Sequence, residues 1–258
     1  MILSKLMPER QAAPGAFEAA IFPVDKPAGP TSFRMVQLVR RATGIKKTGH
    51  AGTLDPFATG LLVICTGRPA TRLISQLMEG EKVYEAVLQL GVETETQDPE
   101  GEVISRQPVV GVTAGRVEQC LEGFLGQQQQ IPPLYSALKH NGKPLYHYAR
   151  KGIDIKREPR QIVISELECL DLGREKMKIR VQCSKGTYIR TLAADIGREL
   201  GCGAHLVELR RLQSGFFTVD EAVDGNVLAG NPATARKALL EKLISVEDVL
   251  AELQNTNK

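Results

Sequence analysis

Asp55 stands in the segment GHAGTLDP, residues 49–56, which carries the strongest chemical signal in the chain. Gly49 and Gly52 permit positive φ and let a ligand approach the backbone closely. Pro56 pushes Asp55 toward an extended conformation and so narrows the direction of its carboxylate. His50 adds a polar ring able to stack, and the apolar run GLLVIC at 60–65 follows as a buried strand. Together these features describe a carboxylate held at the edge of a sheet for nucleophilic or acid–base work. A glycine-rich turn whose Asp caps a backbone group would use the same residues.

The surrounding elements must position that carboxylate. IFPV (21–24) reads as a strand leading into the turn KPAGP, and Thr31 or Ser32 caps a helix to Thr43 that Gly44 ends. A helix over 69–79 begins on Pro, and KVYEAVLQLG (82–91) alternates as a strand. VETETQDPEGEV reads as a polar loop with turns at Asp98–Pro99 and Glu100–Gly101. A helix over 113–125 precedes a break at QQQQIPP (127–133), and an insertion-like segment then runs to about Arg160. Within it lies a helix over 143–151 capped by Asn141. Strands at 161–170 and 177–183, a helix from Tyr188 to Leu200, a strand over 204–212 and helices at 233–243 and 246–253 complete the pattern. There is no regular βαβ rhythm and no G-x-G-x-x-G loop. The expected class is therefore α+β, with one mixed, largely antiparallel central sheet flanked by helices.

A chain of 258 residues with 42% hydrophobic and 24% charged content can bury a core. No apolar run reaches the roughly 18 residues of a membrane span, and the N-terminus lacks a signal-peptide pattern. Five cysteines with no C-x-x-C pair fit reduced thiols in a cytoplasmic protein, with Cys65, Cys169 and Cys183 as buried filler. Cys202 and His205 lack two further ligands at zinc spacing, so no metal is expected. The net charge of +3 is unevenly spread. Residues 139–160 hold seven Lys/Arg against two acidic residues, whereas 79–102 hold eight acidic residues against Lys82 alone. This describes one face that meets phosphate and one that does not, or two solvated surfaces of opposite sign.

Five motifs then occur in order: DKPAGPTS (25–32), GHAGTLDP, KVYEAVLQLG, PPLYSALKHNGKPLYHYARKG (132–152) and KGTYIRTLAADIGRELGCGAHLVELRR (185–211). Their order and wording resemble the stand-alone, bacterial type of the tRNA pseudouridine-55 synthase family, which isomerises one uridine in the T loop of tRNA. The resemblance runs from about residue 21 to about residue 217. It implies a catalytic domain over 21–243 with a cleft and an RNA-contacting insertion at about 132–160; residues 1–20 read as a flexible leader with no evident counterpart in the family, and 244–258 as a short C-terminal segment. Many relatives continue into a further small RNA-binding domain. The implied partner is tRNA, through its T arm, for a monomer with no cofactor, metal or membrane.

By the same resemblance, Asp55 takes the position of the catalytic aspartate and Arg190 that of its paired arginine. Tyr188 matches an active-site tyrosine, a candidate for removing the C5 proton or for orienting the substrate. Tyr84 matches the tyrosine on which the target base stacks, Leu209 a residue closing the uracil pocket, and His50 a contact to the RNA near the vacated position. Lys46, Lys47, Lys139, Lys143, Arg150, Lys151, Arg210 and Arg211 are expected on RNA phosphates. Lys26 and Pro27 are expected to support the active-site loop. Gln97 departs from the family, which more often has an acidic or hydroxyl residue there, in a loop with no expected part in catalysis.

The chemistry fits these residue types. Isomerisation breaks the N1–C1′ bond, turns the base and joins C5 to C1′, with no redox or phosphoryl step. The uridine must first leave its stack. A carboxylate in a dry pocket loses its charge unless a cation such as Arg190 favours the ionised form. Two other functions share parts of this pattern. The catalytic subunit of guide-RNA-dependent pseudouridylation complexes shares DKP, GTLDP and GTYIR but is set apart by LYHYARKG, which is typical of the stand-alone enzymes. A tRNA-binding or folding protein would need no Asp55, Tyr188 and Arg190 set.

Overall fold

In a computed structural model describing residues 17–256, the first elements are β1 (Ala20–Lys26), α1 (Ser32–Thr43), β2 (Thr48–Ala51), β3 (Thr59–Thr66), α2 (Gly67–Arg72) and α3 (Ile74–Leu77). Next come β4 (Lys82–Leu90), β5 (Val92–Thr94), β6 (Val103–Arg106), α4 (Ala114–Glu122), β7 (Gly126–Gln130), β8 (Lys139–His140), β9 (Lys143–Pro144) and α5 (Leu145–Ala149). The last are β10 (Arg160–Leu172), β11 (Lys176–Cys183), α6 (Ile189–Glu199), β12 (Ala204–Ser214), β13 (Phe217–Thr218), β14 (Val223–Asp224), α7 (Pro232–Glu241) and α8 (Val246–Thr256). Residues 1–16 of the expected leader lie outside the described residues. Among the described residues, no helix is long and apolar enough to cross a membrane.

One ten-stranded sheet organises the chain in the order β14-β1-β3-β12-β4-β11-β10-β7, with β2 on β3 and β13 on β12. Its pairs are antiparallel except β1–β14 and β3–β12. The α+β expectation is met. The alternation in β4 places Lys82, Tyr84, Ala86, Leu88 and Leu90 on the buried face. Met35, Val36 and Val39 of α1 and Leu192, Ala193 and Ile196 of α6 join the same core. A second cluster joins Leu61, Val63 and Cys65 to Leu77 and to Val249 of α8. Residues 244–256 are tied in directly, since Ile244 and Ile21 exchange two backbone hydrogen bonds of 3.0 Å.

Local signals explain α1. Thr31 accepts from the Arg34 N–H at 3.0 Å, and Gly44, at φ 76°, donates to the Arg40 carbonyl at 2.8 Å. Elsewhere the structure corrects the expected elements. The helix over 69–79 breaks at Leu73 into α2 and α3. The polar loop after β4 contains the hairpin β5–β6. The glutamine run forms β7, an edge strand held by its ladder to β10 rather than by a local pattern. Asn141 caps no helix: Asn141 and Gly142, at φ 48° and 79°, form the two-residue turn between β8 and β9. The helix is the shorter α5. Cys169 is exposed rather than buried, because register shifts on both sides of it interrupt the alternation of β10.

Candidate active site

Asp55 lies between β2 and β3, and the loop around it is fastened from three sides. The buried Ser32 hydroxyl donates to the Leu54 carbonyl and accepts from the Leu54 N–H, both at 2.9 Å. Lys26, fully buried, donates to the carbonyls of Pro27 at 2.8 Å and Pro56 at 3.1 Å. From below, Arg211 donates through Nε to the Leu61 carbonyl at 2.6 Å and through Nη2 to the Gly52 carbonyl at 3.3 Å. Parallel pairing of Arg211 with Gly60 brings β12 there. A Cβ on Gly60 would stand 2.3 Å from the Arg211 carbonyl oxygen, so only glycine permits the approach. These contacts fix the backbone on both sides of Asp55.

Arg190, in the first turn of α6, meets two carboxylates and two backbone carbonyls. Nε and Nη2 fork onto Asp55 at 3.0 and 3.4 Å. Nη1 donates to Asp98 Oδ2 at 3.0 Å and to the Thr96 carbonyl at 3.1 Å, and Nη2 also reaches the Tyr135 carbonyl at 2.8 Å. The Arg190 and Asp98 side chains are 6% and 5% exposed, whereas Asp55 retains 33%. Asp55 is thus the member of this cluster that still faces outward. Burial pushes its carboxyl above the ordinary range, opposed chiefly by Arg190, while the Asp98 charge adds to the rise. Burial lowers Lys26 to about 8, with the Asp55 charge opposing.

The loop carrying Gln97 and Asp98, with no expected catalytic part, therefore belongs to the site. Asp98 Oδ1 accepts from the Thr96 hydroxyl and, at 3.0 Å, from the Glu100 N–H. Gln97, at φ 62°, accepts on its side chain from Thr191 at 3.2 Å and on its carbonyl from the Leu206 N–H at 3.1 Å. Asp98 lies 92 residues from Arg190, and nothing local marks it beyond an Asp–Pro turn.

Tyr84, Leu209 and Arg211 share one face, since Tyr84 pairs with Arg211 and Ala86 with Leu209. Tyr84 and Leu209 are each 8% exposed. Burial raises the phenols of both Tyr84 and Tyr188, and the Asp55 charge acts on both. With its pKa raised, Tyr188 is ionised at neutral pH even less often than a free phenol, so little phenolate is available to remove the C5 proton and the orienting role is favoured. Burial and the Arg211 charge lower His50, so its ring is neutral at neutral pH. Its Nδ1 is buried without a hydrogen-bond partner.

Lys46, Lys47, Lys139, Lys143, Arg150 and Lys151 are all exposed. The Arg150 guanidinium lies 5.5 Å above the Tyr146 ring, which is 42% exposed. One expected phosphate contact needs correction. Arg211 is 1% exposed and committed to backbone carbonyls, so it does not face RNA. Arg210, on the opposite sheet face, forks onto Asp25 at 3.0 and 2.7 Å and keeps a side chain 40% exposed.

The chain is similar to known proteins along most of its length. A family model described as TruB family pseudouridylate synthase (N terminal domain) matches residues 40–189, and one described as tRNA pseudouridylate synthase B C-terminal domain matches 190–252. The tRNA pseudouridine synthase B of Desulfotalea psychrophila is 57% identical over 244 residues, covering 92% of this chain and 98% of that protein. Its counterpart in Bordetella parapertussis is 49% identical over 219 residues, covering 84% and 89%. Among solved structures, a crystal structure of a Cbf5-Nop10-Gar1 complex aligns with a TM-score of 0.67 at 28% identity. That alignment covers 90% of this chain and 62% of the other, less than two thirds of its length.

Proposed function

The chain belongs to the TruB family of pseudouridylate synthases, and from that premise we propose that it isomerises the T-loop uridine of tRNA, with Asp55 as the essential carboxylate. The observation that carries this reading is the fork of Arg190 onto Asp55. Desolvation of the Asp55 carboxyl favours its protonated form; two nearby cations, Arg190 and Lys26, oppose this and keep the nucleophilic form available. Asp98 and the Tyr135 carbonyl hold Arg190 from behind, so the fork is preformed.

The substrate reaches Asp55 as a flipped nucleotide. The Tyr84 ring supports the base by stacking, Tyr188 orients it as a neutral hydroxyl, and Leu209 closes the pocket. His50 meets the RNA that the uridine has left. Exposed cations of the insertion and of the Lys46–Lys47 turn hold phosphates of the T arm. The protein works as a cytoplasmic monomer, on tRNA alone.

Incubation of the protein with unmodified tRNA transcript, without guide RNA, tests this reading. Chemical mapping should find one pseudouridine, in the T loop. Conversion only in the presence of a guide RNA would favour the complex-bound alternative, and a pseudouridine elsewhere in the tRNA would refute the assigned substrate position.

A further inference from the structure

Gln130 is the last residue of β7, and the chain passes from it directly into the insertion. The insertion returns as β10, whose Arg160 is the ladder partner of Gln130. Both roots of the insertion therefore meet at this residue. Gln127, Gln128 and Gln129 are wholly or partly exposed, as expected of an edge strand, but Gln130 is 4% exposed. A buried amide has to find partners, and this one finds both on a single residue. Oε1 accepts from the Tyr188 N–H at 2.8 Å, and Nε2 donates to the Tyr188 carbonyl at 3.1 Å. The same carbonyl accepts from the Leu192 N–H at 3.0 Å, the first bond of the α6 ladder. Tyr188 is the N-cap of α6 and makes no side-chain capping bond of its own. Its position is set from outside the helix, by Gln130.

We infer that Gln130 is a positioning residue for the isomerisation: its amide fixes the start of α6 and thereby aims Tyr188 and Arg190 at Asp55. This deepens the proposed function and rests on it. Arg190 stands only two residues beyond Tyr188, so a rotation of this helix start moves the guanidinium that forks onto Asp55. The contact between Arg190 Nη2 and the Tyr135 carbonyl ties the insertion to the same helix turn, 2.8 Å apart. The insertion and the catalytic pair are therefore mechanically joined at Gln130. Gln130 itself is too buried to meet RNA, so its loss should act on chemistry rather than on binding.

Gln130→Met and Gln130→Glu test this against the wild type and Asp55→Asn. Met approximates the volume but removes both amide contacts, leaving the Tyr188 N–H unpartnered and its carbonyl with the Leu192 N–H alone. Glu keeps an acceptor for the N–H and sets an oxygen against the carbonyl. Three quantities are read for each: the single-turnover rate on saturating tRNA, the tRNA dissociation constant and the melting temperature. The expected result is a rate about ten- to a hundredfold lower, the cost of a small displacement at a reacting centre. Affinity should change by less than about threefold, in a protein that still melts cooperatively. Wild-type rates in both variants would overturn the inference. So would a parallel fall of rate and affinity, which would make Gln130 an RNA contact, or loss of the fold in both, which would make it a folding residue. Failure of the broader functional reading looks different: wild-type protein would then form no T-loop pseudouridine, or Asp55→Asn would convert normally.

Discussion

Arg190→Lys keeps a positive charge at the site but removes the planar fork. The native guanidinium serves Asp55 twice and satisfies Asp98 and the carbonyls of Thr96 and Tyr135. One ammonium, with three donors on a single atom, cannot span acceptors placed around the whole guanidinium. Breaking a buried pair outright costs about 3–5 kcal/mol. Lys retains part of the attraction, so a loss of about 3 kcal/mol is reasonable, roughly a hundredfold in rate at 1.36 kcal/mol per tenfold. Binding should hardly change, because Arg190 is 6% exposed and faces no solvent. The pH dependence carries a second sign. Asp55 must be ionised, and its raised pKa means that conversion is lost as pH falls through a value above the ordinary 3.8. Weakening its principal cation raises that acid limb further. Single-turnover rates on saturating tRNA between pH 5 and 8, beside separate binding isotherms, check both claims. A variant that loses affinity but retains the wild-type rate and acid limb would refute the Asp55–Arg190 partnership.

Further consequences follow from neighbouring residues. Asp98→Asn removes a like charge near Asp55, so its acid limb should move down, opposite to Arg190→Lys, while the rate falls about tenfold as a charge-assisted hydrogen bond weakens; an upward shift would contradict the assigned electrostatics. Charge reversal at Lys139, Lys143 and Lys151 should weaken tRNA binding and flatten its log-salt slope by about one unit per lost phosphate contact; an unchanged slope would show these lysines to be merely solvated. Arg211→Lys should destabilise the fold by roughly 1–3 kcal/mol through an unpaired buried carbonyl, read by denaturant melting, and leave the salt slope untouched. A reduced slope would restore Arg211 as a phosphate contact.

The parts of this molecule that were legible in the sequence are those whose determinants are local. Thr31 and Gly44 bracket α1, and the alternation of β4 assigns its buried face without reference to any other strand. Asp55 is legible because glycines and a proline flank it. Asp98 and Gln130 are not, since their partners lie 92 and 58 residues away and only the folded sheet brings them together. Arg210 and Arg211 show the same limit. As neighbouring strand residues they face opposite sides of the sheet, so two adjacent cations read as one basic patch are buried on carbonyls in one case and paired with Asp25 in the other. The Asn141–Gly142 pair is a different matter: it carries a local hairpin signal, and reading Asn141 as a helix cap overlooks it.

The central claim is that Asp55 supplies the reacting carboxylate and that chemistry is separable from binding. Asp55→Asn tests it most directly, because Asn is nearly isosteric and leaves the Ser32, Lys26 and Arg211 contacts around the loop in place. In a single-turnover experiment with tRNA already bound, slow release cannot hide the chemical step. The account predicts that pseudouridine formation falls to background while tRNA affinity shifts by no more than about 1–3 kcal/mol, the range for one altered polar contact. Conversion at the wild-type rate by Asp55→Asn protein would contradict it.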